Sequence, residues 1–155
     1  MKNTSIIGID LAKNVFQVHG NDQYGHTCFT RKLKRCDVLA FMAQQPKSLV
    51  AIEACGGAHY WARFLQSQGH DVKMIHPKYV KPFIQVNKND ARDAQAIAEA
   101  AARPSMPTVT IKSIEQQDIQ AIHRVRESLV KEKTAISNEL RGLLGEYGIV
   151  MAQKH

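Results

Sequence analysis

The chain has 155 residues, of which 44% are hydrophobic, and this composition suits one compact domain, with or without an appendage, rather than a disordered segment. It contains no run of about 18 apolar residues, and the apolar stretch at its N-terminus is too short for a signal peptide, so we expect a cytoplasmic protein without membrane contact. The formal net charge of +7 favours an anionic partner, with nucleic acid the first candidate, although many soluble proteins are modestly basic.

The beginning of the chain predicts an antiparallel meander of three strands. Residues 4–10 form a buried strand that ends in a carboxylate, and residues 14–20 partly alternate between apolar and polar side chains. The link between these two strands is short, which favours a hairpin. After the turn at residues 21–25, residues 26–33 return as the third strand.

Helices and strands alternate after the meander. Asp37 is predicted to be the N-cap of a short helix that ends before Pro46. Residues 48–54 read as a fourth strand, residues 58–68 as an amphipathic helix, and residues 72–75 as a short fifth strand. This order of elements predicts a mixed α/β sheet with helices on its faces.

The next part of the chain suggests a domain boundary. Residues 77–89 are basic and irregular, and residues 90–102 are rich in alanine, which favours a helix. Two prolines then interrupt the pattern. We therefore expect a domain over residues 1–103 and a linker over residues 104–112.

Residues 113–155 are expected to form a long helical region. Ser113 and Gln116 match a capping box, and the helix should run to about Tyr147. Glu132 and Glu139 interrupt its apolar seam, whose members are Ile122, Val125, Leu129, Ile136 and Leu143. The helix could simply pack on the domain, but its heavily charged polar faces favour a coiled-coil arm that dimerises or leads to a further, missing domain.

Four carboxylates stand out by their positions. Asp10 ends the first strand and Glu53 lies near the end of the fourth, where a charge after an apolar run is costly unless it is paired or binds a cation. Asp90 and Asp93 share one face at the start of the alanine-rich helix. A helix laid across the strand ends would bring all four together as oxygen ligands for Mg²⁺. Two such ions, roughly 4 Å apart, can hold the attacking and leaving oxygens of a phosphodiester reaction.

Each carboxylate, considered alone, could have a structural role instead of binding a metal. Asp10 could cap the turn that follows its strand. Glu53 could pair with a lysine or cap a helix. Asp90 and Asp93 could complement the positive end of their own helix. Only the four residues in their order and context favour a metal site.

Three motifs stand in order along the chain, namely Gly8-Ile9-Asp10-Leu11-Ala12-Lys13, Glu53-Ala54-Cys55-Gly56-Gly57 and Lys88-Asn89-Asp90-Ala91-Arg92-Asp93-Ala94. Together they resemble the N-terminal domain of the DEDD transposases of insertion-sequence family 110, whose relatives include the Piv-type DNA invertases. The resemblance covers residues 5 to about 145.

The resemblance implies a RuvC-like, ribonuclease-H-like catalytic domain followed by a long helix or coiled-coil arm. It implies that Asp10, Glu53, Asp90 and Asp93 bind Mg²⁺, for which Mn²⁺ should substitute, and act in DNA strand cleavage and exchange. Asp10, on the central strand, would contact both ions.

Family membership would also imply partners and further parts. DNA is the implied substrate, a structured bridge RNA guides some members, and the coiled-coil region suggests a homo-oligomer formed through the long helix. Members carry a C-terminal transposase domain with a nucleophilic serine, which has no counterpart in this sequence. No serine here is given that role.

Basic residues lead into the third motif and are candidates for phosphate contacts. They are Lys78, Lys81, Lys88 and Arg92, with Tyr79 and Phe83 interleaved as rings on which RNA could stack. Such runs are often only solvated faces. A second basic cluster lies at residues 31–35, and the sequence does not favour phosphate contact over a solvated face for it.

Two other functions compete with a transposase catalytic domain. An actin-like or sugar-kinase-like ATPase also begins with a strand that ends in Gly-Ile-Asp, but it would need a Gly/Thr-rich phosphate loop where Leu11-Ala12-Lys13-Asn14 stands. A non-catalytic fragment that binds nucleic acid and dimerises would bind without metal dependence. The DNA target and the oligomeric state do not follow from the sequence.

Overall fold

The computed structural model of the chain describes residues 4–84 and 90–152, except for the side chains of residues 90 and 91. Its strands are β1 (Ile6–Asp10), β2 (Val15–Asn21), β3 (Thr27–Lys34), β4 (Leu49–Glu53), β5 (Asp71–Ile75) and β6 (Thr108–Val109). They form a mixed sheet in the order β3-β2-β1-β4-β5-β6. β1, β4 and β5 are parallel neighbours, and the other pairs are antiparallel.

The helices are α1 (Val38–Ala43), α2 (Ala58–Ser67), α3 (Pro77–Val80), α4 (Asp90–Ala101) and α5 (Ile114–Gly145), and a 3₁₀ turn at Lys81–Phe83 follows α3. The mixed sheet with flanking helices is the fold class that the sequence predicts. Each strand of the predicted meander lies within two residues of its expected position.

The two faces of the sheet have separate cores, because side chains alternate along each strand. On one face, Ile7, Ile9 and Ile52 pack with residues of α1 and α2. On the other face, Ala51 packs with Ile97 and other residues of α4. Both cores use parallel strands that are buried on either side, as expected for the centre of an α/β sheet.

Three local features add to the expectations. Asp37 is the N-cap residue of α1, as expected, but its side chain makes no capping hydrogen bond, because its backbone is itself helical (φ −89°, ψ −16°). The basic stretch after β5, expected to be irregular, contains α3 and the 3₁₀ turn, where Pro77 occupies the first helical position. Within the expected linker, Thr108 and Val109 add β6 to the sheet beside β5.

Contacts divide the chain into two units, the first ending at Ile111 and the second beginning at Lys112. The second unit contains α5, of 32 residues, whose first turn carries the capping box expected at Ser113 and Gln116. A coiled-coil role for this helix stays a prediction. Among the described residues, no helix combines the length and apolarity that a membrane crossing requires.

Candidate active site

Asp10 and Glu53 end neighbouring parallel strands. The register of β1 and β4 pairs Ile9 with Ile52, and the two acidic residues come next on their strands. Because adjacent strands are about 4.8 Å apart, the carboxylates lie side by side at the carboxyl edge of the sheet. Both residues are half-buried. The strand ends therefore meet as the sequence suggested.

Helix α4 lies directly on β1. A Cβ atom placed on Gly8 would come within 2.1 Å of the carbonyl oxygen of Ala94 and 2.7 Å of the backbone nitrogen of Ala98. Only glycine allows this approach of helix to strand. Asp10 stands two residues beyond Gly8, so its side chain leaves the strand on the face that α4 covers.

The direction of α4 brings its first turn toward the acidic strand ends. Its last turn lies at the opposite end of β1, where Ile6, Glu99 and Ala102 line a common cavity. Asp93 precedes Ala94 and is half-buried. The positive end of the helix dipole is thus directed to the edge that carries the carboxylates.

The pKa of Glu53 is affected by two of the other three predicted acids. Burial raises the pKa of the Glu53 carboxyl, and the negative charges of Asp10 and Asp93 raise it further. Lys81 and His76 act in the opposite direction and lower that pKa. Asp10, Glu53 and Asp93 therefore form one electrostatic neighbourhood, in which like charges repel.

The described acidic side chains do not by themselves form a closed metal site. Across residues 4–84 and 90–152, no group of three or more His, Cys, Asp or Glu side chains is arranged to hold a metal ion. Asp90 is the first residue of α4, but its side chain lies outside the described residues. The donor chemistry nevertheless fits Mg²⁺, because the acids supply hard oxygen ligands whose mutual repulsion a divalent cation would relieve.

Cys55 lies close to the acidic edge. The pKa of the Cys55 thiol is raised by burial and then by the negative charges of Glu53 and Asp10. A thiol that is harder to ionise is a weaker metal ligand, because only the thiolate binds metal strongly.

The predicted basic residues occupy different positions around the edge. Lys78, in α3, holds its ammonium group 4.6 Å from the centre of the Tyr79 ring. Lys81 is exposed and close enough to Glu53 to affect its pKa. Arg92 is half-buried on α4. Lys88 lies outside the described residues.

His76 is a member of the site that the sequence did not reveal. Strand pairing sets Glu53 opposite Ile75, so His76, which follows β5 directly, stands at the same edge. The Nδ1 atom of His76 accepts a hydrogen bond from the backbone N–H of Lys78 at 3.2 Å and caps α3. A histidine before a proline at the end of a buried strand is the signal that could have identified it.

Comparisons with known proteins identify the family of the chain. The model of the family DEDD_Tnp_IS110, described as "Transposase", matches residues 7–149. The chain is 55% identical over 152 residues to a "Probable family 20 transposase" of Pseudomonas aeruginosa, a match that covers 98% of this chain and 45% of that protein. It is 48% identical over 153 residues to the "Transposase for insertion sequence element IS1111A" of Coxiella burnetii, with 99% of this chain and 42% of that protein covered.

A solved structure supports the fold. The chain resembles Thermus thermophilus RuvC with a TM-score of 0.50 at 13% identity, over 67% of this chain and 99% of that one. The RuvC-like, ribonuclease-H-like fold predicted from the sequence is thereby confirmed. The chain spans less than half the length of the curated relatives named above.

Proposed function

Because the chain belongs to the DEDD transposases of the IS110 family, we propose that its first unit is a catalytic domain for metal-dependent cleavage and exchange of DNA strands. In this proposal Asp10, Glu53, Asp90 and Asp93 hold the divalent cation. Mg²⁺ is the expected ion, and Mn²⁺ is expected to replace it.

The observation that carries the proposal is the crowding of carboxylates around Glu53. Its raised pKa comes from burial and from the charges of Asp10 and Asp93. A carboxylate whose pKa is perturbed by neighbouring carboxylates is typical of functional sites, because such a group costs stability unless a ligand offsets the repulsion. Membership of the transposase family favours phosphodiester chemistry at this edge over the ATPase alternative.

Bound Mg²⁺ would supply positive charge to the attacking and leaving oxygens of the phosphodiester. Residues of the chain would position the carboxylates and the DNA phosphate around the ion. Asp10 lies at the centre of the sheet, since β1 has β2 on one side and β4 on the other. Lys81 brings positive charge near Glu53, where it would help to draw the DNA phosphate toward the carboxylates.

Nucleic acid is the partner that this site would require. DNA is the proposed substrate, and a guide RNA is a further candidate partner. Lys78, Lys81, Lys88 and Arg92 are the proposed phosphate contacts. Support comes from the net charge of +7 and from the positions of Lys78 and Lys81 directly after β5.

Helix α5 is the proposed site of homo-oligomerisation. Taken by itself, it presents a stripe of apolar side chains that includes Ile122, Val125 and Leu129. Exposed apolar stripes at near-heptad spacing are covered by a second helix in coiled coils. We propose that a second copy of the chain provides this helix.

Recombination as a whole is proposed only for a longer protein. The chain corresponds to 45% or less of the curated relatives compared above. For strand exchange a second domain would supply the serine nucleophile, whereas nicking with water as the nucleophile would require only the carboxylates of the present chain and the metal ion.

Nicking of supercoiled plasmid DNA by the 155-residue chain in Mg²⁺ or Mn²⁺ tests the proposal. We expect Asp10→Asn to reduce nicking by at least about 100-fold, because loss of a ligand should exceed the 10- to 100-fold cost of losing an outer-shell partner. Asp71→Asn is the matched control, since Asp71 is an exposed carboxylate at the opposite end of the sheet.

Equal nicking by the two variants would contradict the assignment of Asp10. If the chain binds the plasmid without nicking it, and the metal has no effect, the alternative of a non-catalytic nucleic-acid-binding fragment is favoured instead.

A further inference from the structure

A groove opens between the end of β3 and the start of α2, and it is called here the β3–α2 groove. Its volume is about 740 Å³, within the range of roughly 300–1,000 Å³ that ligand clefts occupy. Its lining includes Asn14, Lys34, Arg35, Tyr60 and Trp61. These residues include the part of the 31–35 cluster nearest to the catalytic edge, for which the sequence suggested no role.

The β3–α2 groove lies at the edge of the sheet that carries the carboxylates. The backbone N–H of Arg35 donates to the carbonyl oxygen of Asn14 at 2.9 Å, which joins the end of β3 to the turn that follows Asp10. Tyr60 lies in the first turn of α2, shortly after Glu53. Because α2 and α4 cover opposite faces, the groove and the carboxylates flank the same strand ends.

Aromatic rings and a guanidinium group form a platform in this groove. The ring of Trp61 packs edge-on against Phe16 at 4.9 Å and against Tyr60 at 5.6 Å between centroids. The guanidinium carbon of Arg35 lies 5.3 Å from the centre of the Trp61 ring. Tyr60 is 52% exposed, so its ring is available for stacking. Bases stack on aromatic and guanidinium planes of this kind.

Trp61 also carries an unused hydrogen-bond donor. The residue is 4% exposed, and its indole N–H has no hydrogen-bond partner among the described residues. Buried indole N–H groups are usually paired, because an unpaired one costs free energy. Arg35 is an exposed side chain above the ring, so its movement toward a phosphate would open Trp61 to an acceptor on a ligand.

The charges of the groove select for an anion. Lys34 and Arg35 are exposed cations in its lining, and none of the described lining residues is acidic. A polyanion with planar, apolar rings matches both the charges and the platform. Nucleic acid has this combination of groups.

We propose that the β3–α2 groove binds an unpaired nucleotide of a nucleic-acid strand, stacking its base on Tyr60 and holding the adjacent phosphate with Lys34 and Arg35. This inference rests on the proposed function in one point: the nucleic-acid strand bound in the groove would extend to the catalytic carboxylates at the same edge of the sheet. The nucleotide must be unpaired, because bases within a duplex are already stacked on their neighbours.

Trp61 is the single tryptophan of the chain, so its fluorescence reports on the groove directly. Four oligonucleotide ligands are titrated against the 155-residue chain: single-stranded DNA, single-stranded RNA, a duplex of the same sequence, and an abasic strand with the same phosphates. We expect both single strands to change the Trp61 emission and to bind more tightly than the duplex or the abasic strand. The single strand that binds more tightly identifies the natural ligand as DNA or as RNA.

Two variants distinguish the contribution of base stacking to binding from the contribution of charge. Tyr60→Ala should weaken single-strand binding by about 5- to 150-fold, the cost of losing one base–aromatic stack. Tyr24→Ala is the matched control, because Tyr24 is an exposed tyrosine at the opposite end of the sheet. Lys34→Ala should lower the slope of log affinity against log salt by about 0.7, as expected for the loss of one phosphate contact on a single strand. Thermal unfolding verifies that each variant is folded.

The outcomes distinguish this proposal from the proposed function. Binding that survives in Asp10→Asn, while Mn²⁺ binding is lost, supports two separate sites, and failure of the metal site alone leaves the groove proposal intact. Equal effects of Tyr60→Ala and Tyr24→Ala, or equal binding of the abasic strand, would overturn it.

Discussion

Replacement of Gly8 by alanine should impair the candidate metal site without altering any of its carboxylates. The new Cβ would lie 2.1 Å from the carbonyl oxygen of Ala94, whereas real Cβ contacts under 3.0 Å essentially never occur. Helix α4 must therefore move by about 0.9 Å, the difference between those two distances. The obstacle is helix backbone, which cannot rotate away as a side chain can.

The shift has two expected consequences. Overpacking of this kind costs about 1–3 kcal/mol of stability, which urea unfolding measures. Asp93 precedes the displaced Ala94, so the carboxylates lose their alignment, and a displacement of about 1 Å can cost on the order of 100-fold in site function. Calorimetric titration with Mn²⁺ should accordingly show affinity reduced well beyond the change in stability.

Gly20→Ala is the matched control for Gly8→Ala. Its Cβ would lie 2.4 Å from the ring of Phe29, which packs against Phe41 of α1 on the face opposite α4. This variant should lose stability and keep its affinity for Mn²⁺. If Gly8→Ala has the urea midpoint and the Mn²⁺ affinity of the unaltered chain, the account of α4 as the positioning helix is refuted.

Two further predictions concern Glu53 and α5. Folding raises the pKa of Glu53 above its ordinary value of 4.5. The protonated carboxyl therefore favours the folded state at pH values below 4.5, and this contribution to stability is lost as the pH rises through the folded pKa. Glu53→Gln should therefore stabilise the metal-free chain at neutral pH by about 1 kcal/mol, or roughly 2–4 °C in Tm; a gain that persists at pH 4 would contradict this cause. Leu129→Lys should shift the chain toward monomers in sedimentation experiments, whereas Ser128→Lys on the same helix should not, and equal behaviour would exclude the apolar stripe as the interface.

The sequence predicted the elements whose patterns are local. The apolar runs that end at Asp10 and Glu53 identified β1 and β4, and the Ser113 capping box identified the start of α5. Periodicity of side chains along one segment is enough for such predictions. The adjacency of the two strand ends followed from parallel pairing.

Features that depend on distant contacts were not predicted. β6 is two residues long and exists because it pairs with β5. The tight approach at Gly8 requires knowledge of α4, which lies more than 80 residues further along the chain. His76 takes its place beside Glu53 through the pairing of β4 with β5. None of these contacts produces a pattern within its own segment.

The most direct test of the central claim is an anomalous-diffraction map from crystals of the chain soaked in Mn²⁺, with Asp10→Asn as the control. The account predicts an anomalous peak among Asp10, Glu53, Asp90 and Asp93 that is absent from the variant. A map without a peak at this edge, or a peak of equal height in Asp10→Asn, would contradict a metal site built on these four carboxylates.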